Sequence, residues 1–354
     1  MQDRKPLFWF AAVIALALAA YFYHSAVNEG VDPNSSSTMR PRLALIVGGP
    51  DAFWQEVVSG AKSAAEELDA ELDVEVPDGT GADQTATLVK VSSQDFDGVA
   101  ISPLAPEDQT RLISKLAAET KMVTYDNDAP KSLRHSYIGT NNVMGGRLAA
   151  ELLQKILPEG GEIAIFIGDN ERQNARDRRQ SFVNALSGIW GIRPDDENET
   201  TEDLQQPVTA GNYQIVATYL DNSDPDQATA NAEQALADHP SLRAMIALYG
   251  YNGPACLKAL KKAGKLNEVA VIAFDEHDAT LAGIESGTVA GTVVQDPYLI
   301  GYKTVEELCK LCRGNVTALP LPGSGSIALQ CMVVDKENLG EFKANLEKRR
   351  QPVE

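Results

Sequence analysis

The chain is poor in the side chains on which catalysis and metal binding depend. Its 354 residues hold four histidines and four cysteines. His24 directly follows an apolar run, and His135, His239 and His277 are scattered, so no histidine has the spacing of a general base with its partner or of a metal site. There is no H-E-x-x-H, no G-x-S-x-G and no G-x-x-x-x-G-K-[ST], and no G-x-G-x-x-G opens the first helical pattern. Zincin hydrolysis, the serine-hydrolase elbow, P-loop phosphate binding and dinucleotide binding thereby lose their usual markers. Positive charge is scarce too: 31 Lys and Arg face 50 Asp and Glu, a formal net charge of -19. Affinity for phosphate backbones comes from clustered Lys and Arg that release counterions, so no nucleic-acid partner is expected. No cofactor or metal is expected either.

Cys256, Cys309, Cys312 and Cys331 are confined to the last third. Cys309-Lys310-Leu311-Cys312 has redox or metal spacing, yet it lies late in a predicted helix, without a βαβ redox context or a second C-x-x-C. These read as packing cysteines, with room for one disulfide. The acidic stretch 195–203 reads as a solvated surface insertion, because it lacks the alternating ligands and glycine of a calcium loop.

What is present is apolar and regularly spaced. The hydrophobic set makes up 44% of residues, enough for two cores at this length. Arg4 and Lys5 precede an uncharged run over 7–23, longer than a signal-peptide core and shorter than the roughly 20 residues of a full span. Residues 1–27 are thus a signal peptide or membrane anchor, oriented by Arg4 and Lys5 so that the rest is exported. Ala17-Leu18-Ala19 offers a cleavage site, whereas Tyr21-Phe22-Tyr23 resembles an interfacial belt and favours an uncleaved anchor; no cysteine follows for lipid attachment. Residues 28–40 read as a linker.

From residue 41 onward, strand-like runs alternate with helical patterns, which predicts an α/β fold with parallel sheets. Strands are expected at 43–47, 72–76, 98–101, 122–125, 136–138, 162–167, 215–219, 244–247, 269–274 and 291–294, and a solvated basic helix at 343–350. Ten strands exceed one ordinary doubly wound sheet, so two sheets with a cleft between them are expected.

In such sheets ligands collect beyond the carboxyl ends of the strands. There the first strand presents Asp51 beside Phe53 and Trp54, and a carboxylate next to ring faces suits a polar ligand with apolar C–H faces, such as a sugar. The competing reading has Asp51 capping the next helix while the two rings pack as a hydrophobic staple. Later strand ends present Ser102, Asp126, Asn127, Asn252, Asp275 and Gln295. Each alone is an ordinary cap or turn residue; their recurrence at the same end of so many strands points to a site.

Taken in order, Asp51-Ala52-Phe53-Trp54, Thr124-Tyr125-Asp126-Asn127, Tyr137-Ile138-Gly139-Thr140-Asn141-Asn142, Arg176-Asp177-Arg178-Arg179, Phe274-Asp275 and Val294-Gln295-Asp296-Pro297 resemble the type I periplasmic binding proteins. The likeness is to the ribose-binding-like branch that feeds ABC transporters, and it runs from about residue 42 to 339. It implies two Rossmann-like lobes joined by a three-segment hinge, with 41–140 plus 296–325 in the first lobe and 141–295 plus 326–348 in the second. It implies Phe53 and Trp54 as stacking rings, with Asp51, Ser102, Asp126, Asn127, Arg178, Asn252, Asp275 and Gln295 as polar ligand contacts. Of the three arginines 176, 178 and 179, one is expected to face the ligand and two to be surface charges.

The resemblance also implies a sugar-like ligand, a permease or membrane sensor as partner, and a place in the periplasm or cell envelope. Three departures bear on the ligand. Asn127 stands where ribose-binding proteins carry an arginine, Asp51 stands where they carry an amide, and Pro225 lies where the family often supplies a third aromatic. The pocket loses a cation and gains an anion, so another polyol, an amino sugar or a small cation suits three carboxylates facing one arginine. A ligand-sensing receptor of the same fold is the second reading. A Rossmann-type nucleotide enzyme is the third, weakened because Pro50 in Gly48-Gly49-Pro50 offers no N–H to a phosphate.

Overall fold

Alternating burial explains the strands. In β1 (Arg42–Ile46), Leu43 and Leu45 enter one apolar cluster while Ala44 and Ile46 enter another, so helices cover both faces of the strand. The computed structural model describes residues 39–170, 172–190, 204–314 and 325–350. The expected anchor or signal peptide, residues 28–38 of the linker and the acidic stretch 195–203 lie outside the described residues.

After β1 the chain runs through α1 (Ala52–Glu67), β2 (Glu71–Glu75), α2 (Gly81–Ser92), β3 (Gly98–Ile101), α3 (Pro106–Glu119), β4 (Lys121–Tyr125) and β5 (Ser136–Thr140). Then come α4 (Asn142–Ile156), β6 (Gly161–Ile167), α5 (Gln173–Leu186), β7 (Val208–Ala210), β8 (Tyr213–Leu220), α6 (Pro225–Asp238), β9 (Ala244–Ala247) and α7 (Asn252–Ala263). The last part holds β10 (Ala270–Phe274), α8 (Asp278–Ser286), β11 (Gly291–Val294), α9 (Pro297–Cys312), β12 (Ser326–Leu329), β13 (Met332–Asp335) and α10 (Leu339–Arg350). Polar caps set several starts: Asn141 accepts from the Met144 amide at α4, and Asp224 and Asp296 cap α6 and α9, each followed by proline at the first helical position.

The strands form two sheets, ordered β12-β5-β4-β3-β1-β2 and β13-β11-β10-β9-β6-β8-β7. The first is parallel throughout; the second is parallel except for its edges β7 and β13. The two-lobed α/β architecture thus matches expectation. The chain crosses between sheets after β5, after β11, and between β12 and β13. That last crossing corrects one boundary: 326–329 pairs with β5 in the first sheet, so the chain leaves the first lobe after Leu329 rather than after Gly325. Burial also corrects the final helix, because Leu339 and Leu346 of α10 enter the second lobe's core.

In the first lobe α1 and α9 pack at backbone distance. A Cβ on Gly60 would lie 1.9 Å from the Tyr298 carbonyl oxygen, and one on Gly301 would lie 1.9 Å from that of Val57. Only glycine fits at these two positions. All four cysteines are free, so no disulfide forms, and burial pushes the Cys312 thiol up to about 12.

Candidate functional site

Strand ends of both sheets meet at the cleft, and several turn sharply there. Asp126 follows β4 with φ 57°, Asp275 follows β10 with φ 64°, and Asp296 lies just beyond β11 with φ 81°. Left-handed backbone costs a non-glycine residue about 1–2 kcal/mol, a strain that proteins tend to keep where geometry matters.

From the first lobe, Asp126 is buried and Ser102 Oγ donates to its Oδ2 at 3.4 Å. Burial, offset in part by Arg178, raises its carboxyl from 3.8 to about 6, and Asp275 adds to the rise. Asn127 donates to Ser102 Oγ through its Nδ2 at 3.2 Å, and Asn174 Nδ2 of α5 donates to Asn127 Oδ1 at 3.1 Å, a direct bridge between lobes. Tyr137 donates to the Asp126 carbonyl at 2.8 Å. Asp128 is not part of this set: it pairs with the buried Arg134 and braces its own loop.

From the second lobe, Arg178 is buried against the Phe274 ring, 4.1 Å from its centroid. It donates to Asn142 Oδ1 at 2.8 Å, to the Leu248 carbonyl at 3.0 Å and to Gln295 Oε1 at 2.8 Å. Gln295 also accepts from Thr140 at 2.7 Å and donates to Asp275 Oδ1 at 2.5 Å. Burial raises the Asp275 carboxyl, while Arg178 and the Gln295 amide oppose the rise. The network therefore runs from the first crossing segment to the second lobe's carboxylate.

Ser102, Asp126, Asn127, Arg178, Asp275 and Gln295 are thus brought together. Asn252 is buried and donates to Asp221 Oδ2 at 2.8 Å, and Tyr251 donates to the same carboxylate at 2.6 Å. Asp51 accepts from the amides of Phe53 and Trp54, the capping geometry, and its charge still reaches Asp275. Trp54 is 8% exposed and packs in the first lobe's core, against Gly48 and edge-on to Tyr125. Phe53 is half-buried and edge-on to Trp54, the more open ring of the two. The arginine expectation needs one correction: Arg179 is buried as well, donating to Thr218 Oγ1 at 2.9 Å.

The sequence reading passed over Asn174, Asp221, Tyr249, Tyr251 and Glu276. Asp221 lies just past β8, so the strand-end signal that marked the others would have found it. A cavity of about 250 Å³ opens on the hinge side, lined among others by Asp126, Asn127, Tyr137, Asn141, Arg172 and Asp177. Asp275 and Gln295 do not line it; they contact each other, and Gln295 accepts from Thr140, which does line it.

The profile of the family described as periplasmic binding protein domain matches residues 44–315. The ribose import binding protein of Haemophilus influenzae is 26% identical over 302 residues, covering 84% of this chain and 94% of that one. The D-ribose/D-allose-binding protein of Pseudomonas aeruginosa is 24% identical, covering 80% and 84%. Among solved structures, an ABC transporter solute-binding protein from Burkholderia graminis, in complex with D-arabinose, superposes with a TM-score of 0.73 at 27% identity, covering 84% of this chain and 96% of that chain. With its two sheets, its interlobe cluster and a family match over most of its length, the chain belongs to the periplasmic binding protein domain family.

Proposed function

We propose that this chain captures a monosaccharide-sized polyol between its lobes and hands it to an ABC permease or a membrane sensor. One observation carries the reading: two carboxylates, the buried Asp126 and the half-buried Asp275, one per lobe, lie around Arg178 with neutral hydrogen-bond partners. Such carboxylates accept from hydroxyls, and a charge-assisted hydrogen bond is worth about 1.5–3 kcal/mol. Relatives named for ribose and allose, and a solute-binding protein solved in complex with D-arabinose, support the ligand class. Binding and release need no covalent step, so the chain acts as a carrier rather than an enzyme.

In this reading the lobes are 41–140 plus 296–329 and 141–295 plus 332–348, and they open by bending at the three crossings. Opening parts Asn174 from Asn127 and exposes the polar layer to the ligand. Phe53 covers a C–H face of the ligand, and Trp54 supports it from the core. Residues 7–23, after Arg4 and Lys5, tether the protein outside the cytoplasm.

A thermal-shift screen of pentoses, hexoses and acyclic polyols tests the ligand class. A ligand at a hundred times its dissociation constant stabilises by about 2.7 kcal/mol, which a melting curve resolves. If no sugar or polyol shifts the melt, the reading fails. Recovery of the uncleaved chain in the cytosol after fractionation would remove the exported, tethered part.

A further inference from the structure

Asn127 and Asn174 meet across the cleft, one on the loop after β4 and the other in the first turn of α5. Asn174 Nδ2 donates to Asn127 Oδ1 at 3.1 Å. Behind each amide stands an anchor in its own lobe: Asn127 Nδ2 donates to Ser102 Oγ at 3.2 Å, and the Tyr249 hydroxyl donates to Asn174 Oδ1 at 3.3 Å. The bond therefore joins the lobes away from the three crossings, through two side chains that are 9% and 8% exposed. Burial strengthens such a bond, and removing one partner leaves the other unmatched.

The family resemblance counts Asn127 among the ligand contacts, yet its amide is engaged at both ends by protein groups. The arginine that ribose-binding proteins carry at this place has five N–H donors and no acceptor, so it could not take the Asn174 N–H. Both asparagines also line the hinge-side cavity, so direct contact with the ligand is the rival reading. We propose that Asn127 and Asn174 form a clasp, made as the lobes close on the ligand, which sets how long the cleft stays shut and leaves the choice of ligand to Asp126, Arg178, Asp275 and Gln295. The two asparagines are thus positioning residues, and this role rests on the sugar-binding reading and deepens it. A hydrogen bond of this kind changes a dissociation constant by about threefold to tenfold. Because the clasp is made between protein groups, the factor is the same for every ligand. Because it forms after encounter, the factor lies in the dissociation rate.

Calorimetry and stopped-flow rates on the full-length chain test this with Asn127→Ala, Asn174→Ala and the double variant. The probes are the pentoses, hexoses and acyclic polyols of the thermal-shift screen, with D-ribose, D-allose and D-arabinose among them. Alanine suits a loop and a first helical turn alike, and melting curves report that each variant is folded. Each single variant should weaken every ligand that binds by one common factor of about three or more, carried by faster dissociation with association unchanged. The double variant should bind no worse than the weaker single one, since either change alone removes the whole bond. Effects that multiply in the double variant overturn the clasp, as do an undiminished affinity in Asn174→Ala, a loss that differs from sugar to sugar, and a loss carried by the association rate. Coupling that appears in the unfolding of the free chain rather than in binding overturns its formation on closing. Each of these results leaves the sugar-binding reading standing, whereas a screen in which no probe binds overturns both.

Discussion

Asp126 and Asp275 occupy matching places in the two lobes, and their surroundings differ. Each follows the third strand from the edge at which the final crossing occurs and each has left-handed backbone; Asp126 is buried and Asp275 half-buried. Asp275 is braced: Gln295 donates to it at 2.5 Å and is itself fixed by Arg178 and Thr140. Asp126 has one long side-chain donor, Ser102 at 3.4 Å, and its carboxyl rises to about 6. The second lobe holds a finished half-site, while the first holds an acid whose best partners come with the ligand. This agrees with a cleft that gains its full set of hydrogen bonds only when loaded.

The largest effect is expected at the brace. Arg178→Met should cost about 3 kcal/mol or more of stability, since it strips three hydrogen bonds and the cation that opposes both carboxyl shifts. Denaturant melts measure this; a loss well under 1 kcal/mol would mean that the network is not a brace.

A smaller effect, of opposite sign, is expected at Asp126. Its carboxyl rises from 3.8 to about 6 on folding, so between those values the folded chain keeps a proton that the unfolded chain has released. Stability therefore falls as pH rises through that window and stays lower above it. At about 1.36 kcal/mol per pKa unit, the penalty at neutral pH is at most about 3 kcal/mol. Asp126→Asn keeps the shape and tolerates left-handed backbone, so it should stabilise the free protein at pH 7 and change nothing below pH 3.8. Melting curves at the two pH values distinguish this from a plain packing change. Asp275→Asn should gain less, because its charge is already answered.

The smallest of these effects is in the pH profile of binding. Hydroxyl donors favour ionised Asp126, so affinity for a neutral sugar should hold above pH 6 and fall by up to tenfold per unit below it. Calorimetry between pH 5 and pH 7.5 reads this directly, and a flat profile would take Asp126 out of the site.

Most of the fold was legible because buried parallel strands and amphipathic helices leave different periods in a sequence. Runs such as Leu43-Ala44-Leu45-Ile46 and Val271-Ile272-Ala273-Phe274 are apolar at every position, as strands covered on both faces must be. Sheet membership was less legible: 326–329 and 332–335 are short and close together, and nothing in their pattern says that the chain changes lobes between them. The polar residues that gather at the strand ends could be read, since Asp126 and Asp275 mark where apolar runs stop. Asn174 could not, because it is one polar residue in a polar helix start and its meaning lies in Asn127 across the cleft. Trp54 was half legible: by pattern alone an aromatic after a strand end fits ligand and core equally well, and the space beside Gly48 put it in the core.

The central claim is that one carboxylate from each lobe holds the ligand, and the dissociation constant of Asp275→Asn tests it most directly. Measured by calorimetry at pH 7 against the first sugar or polyol that stabilises the parent chain, it should rise by about one to two orders of magnitude, since each 1.4 kcal/mol is tenfold. The melting temperature should hold or rise slightly. A folded Asp275→Asn that binds the same ligand with undiminished affinity would contradict the account.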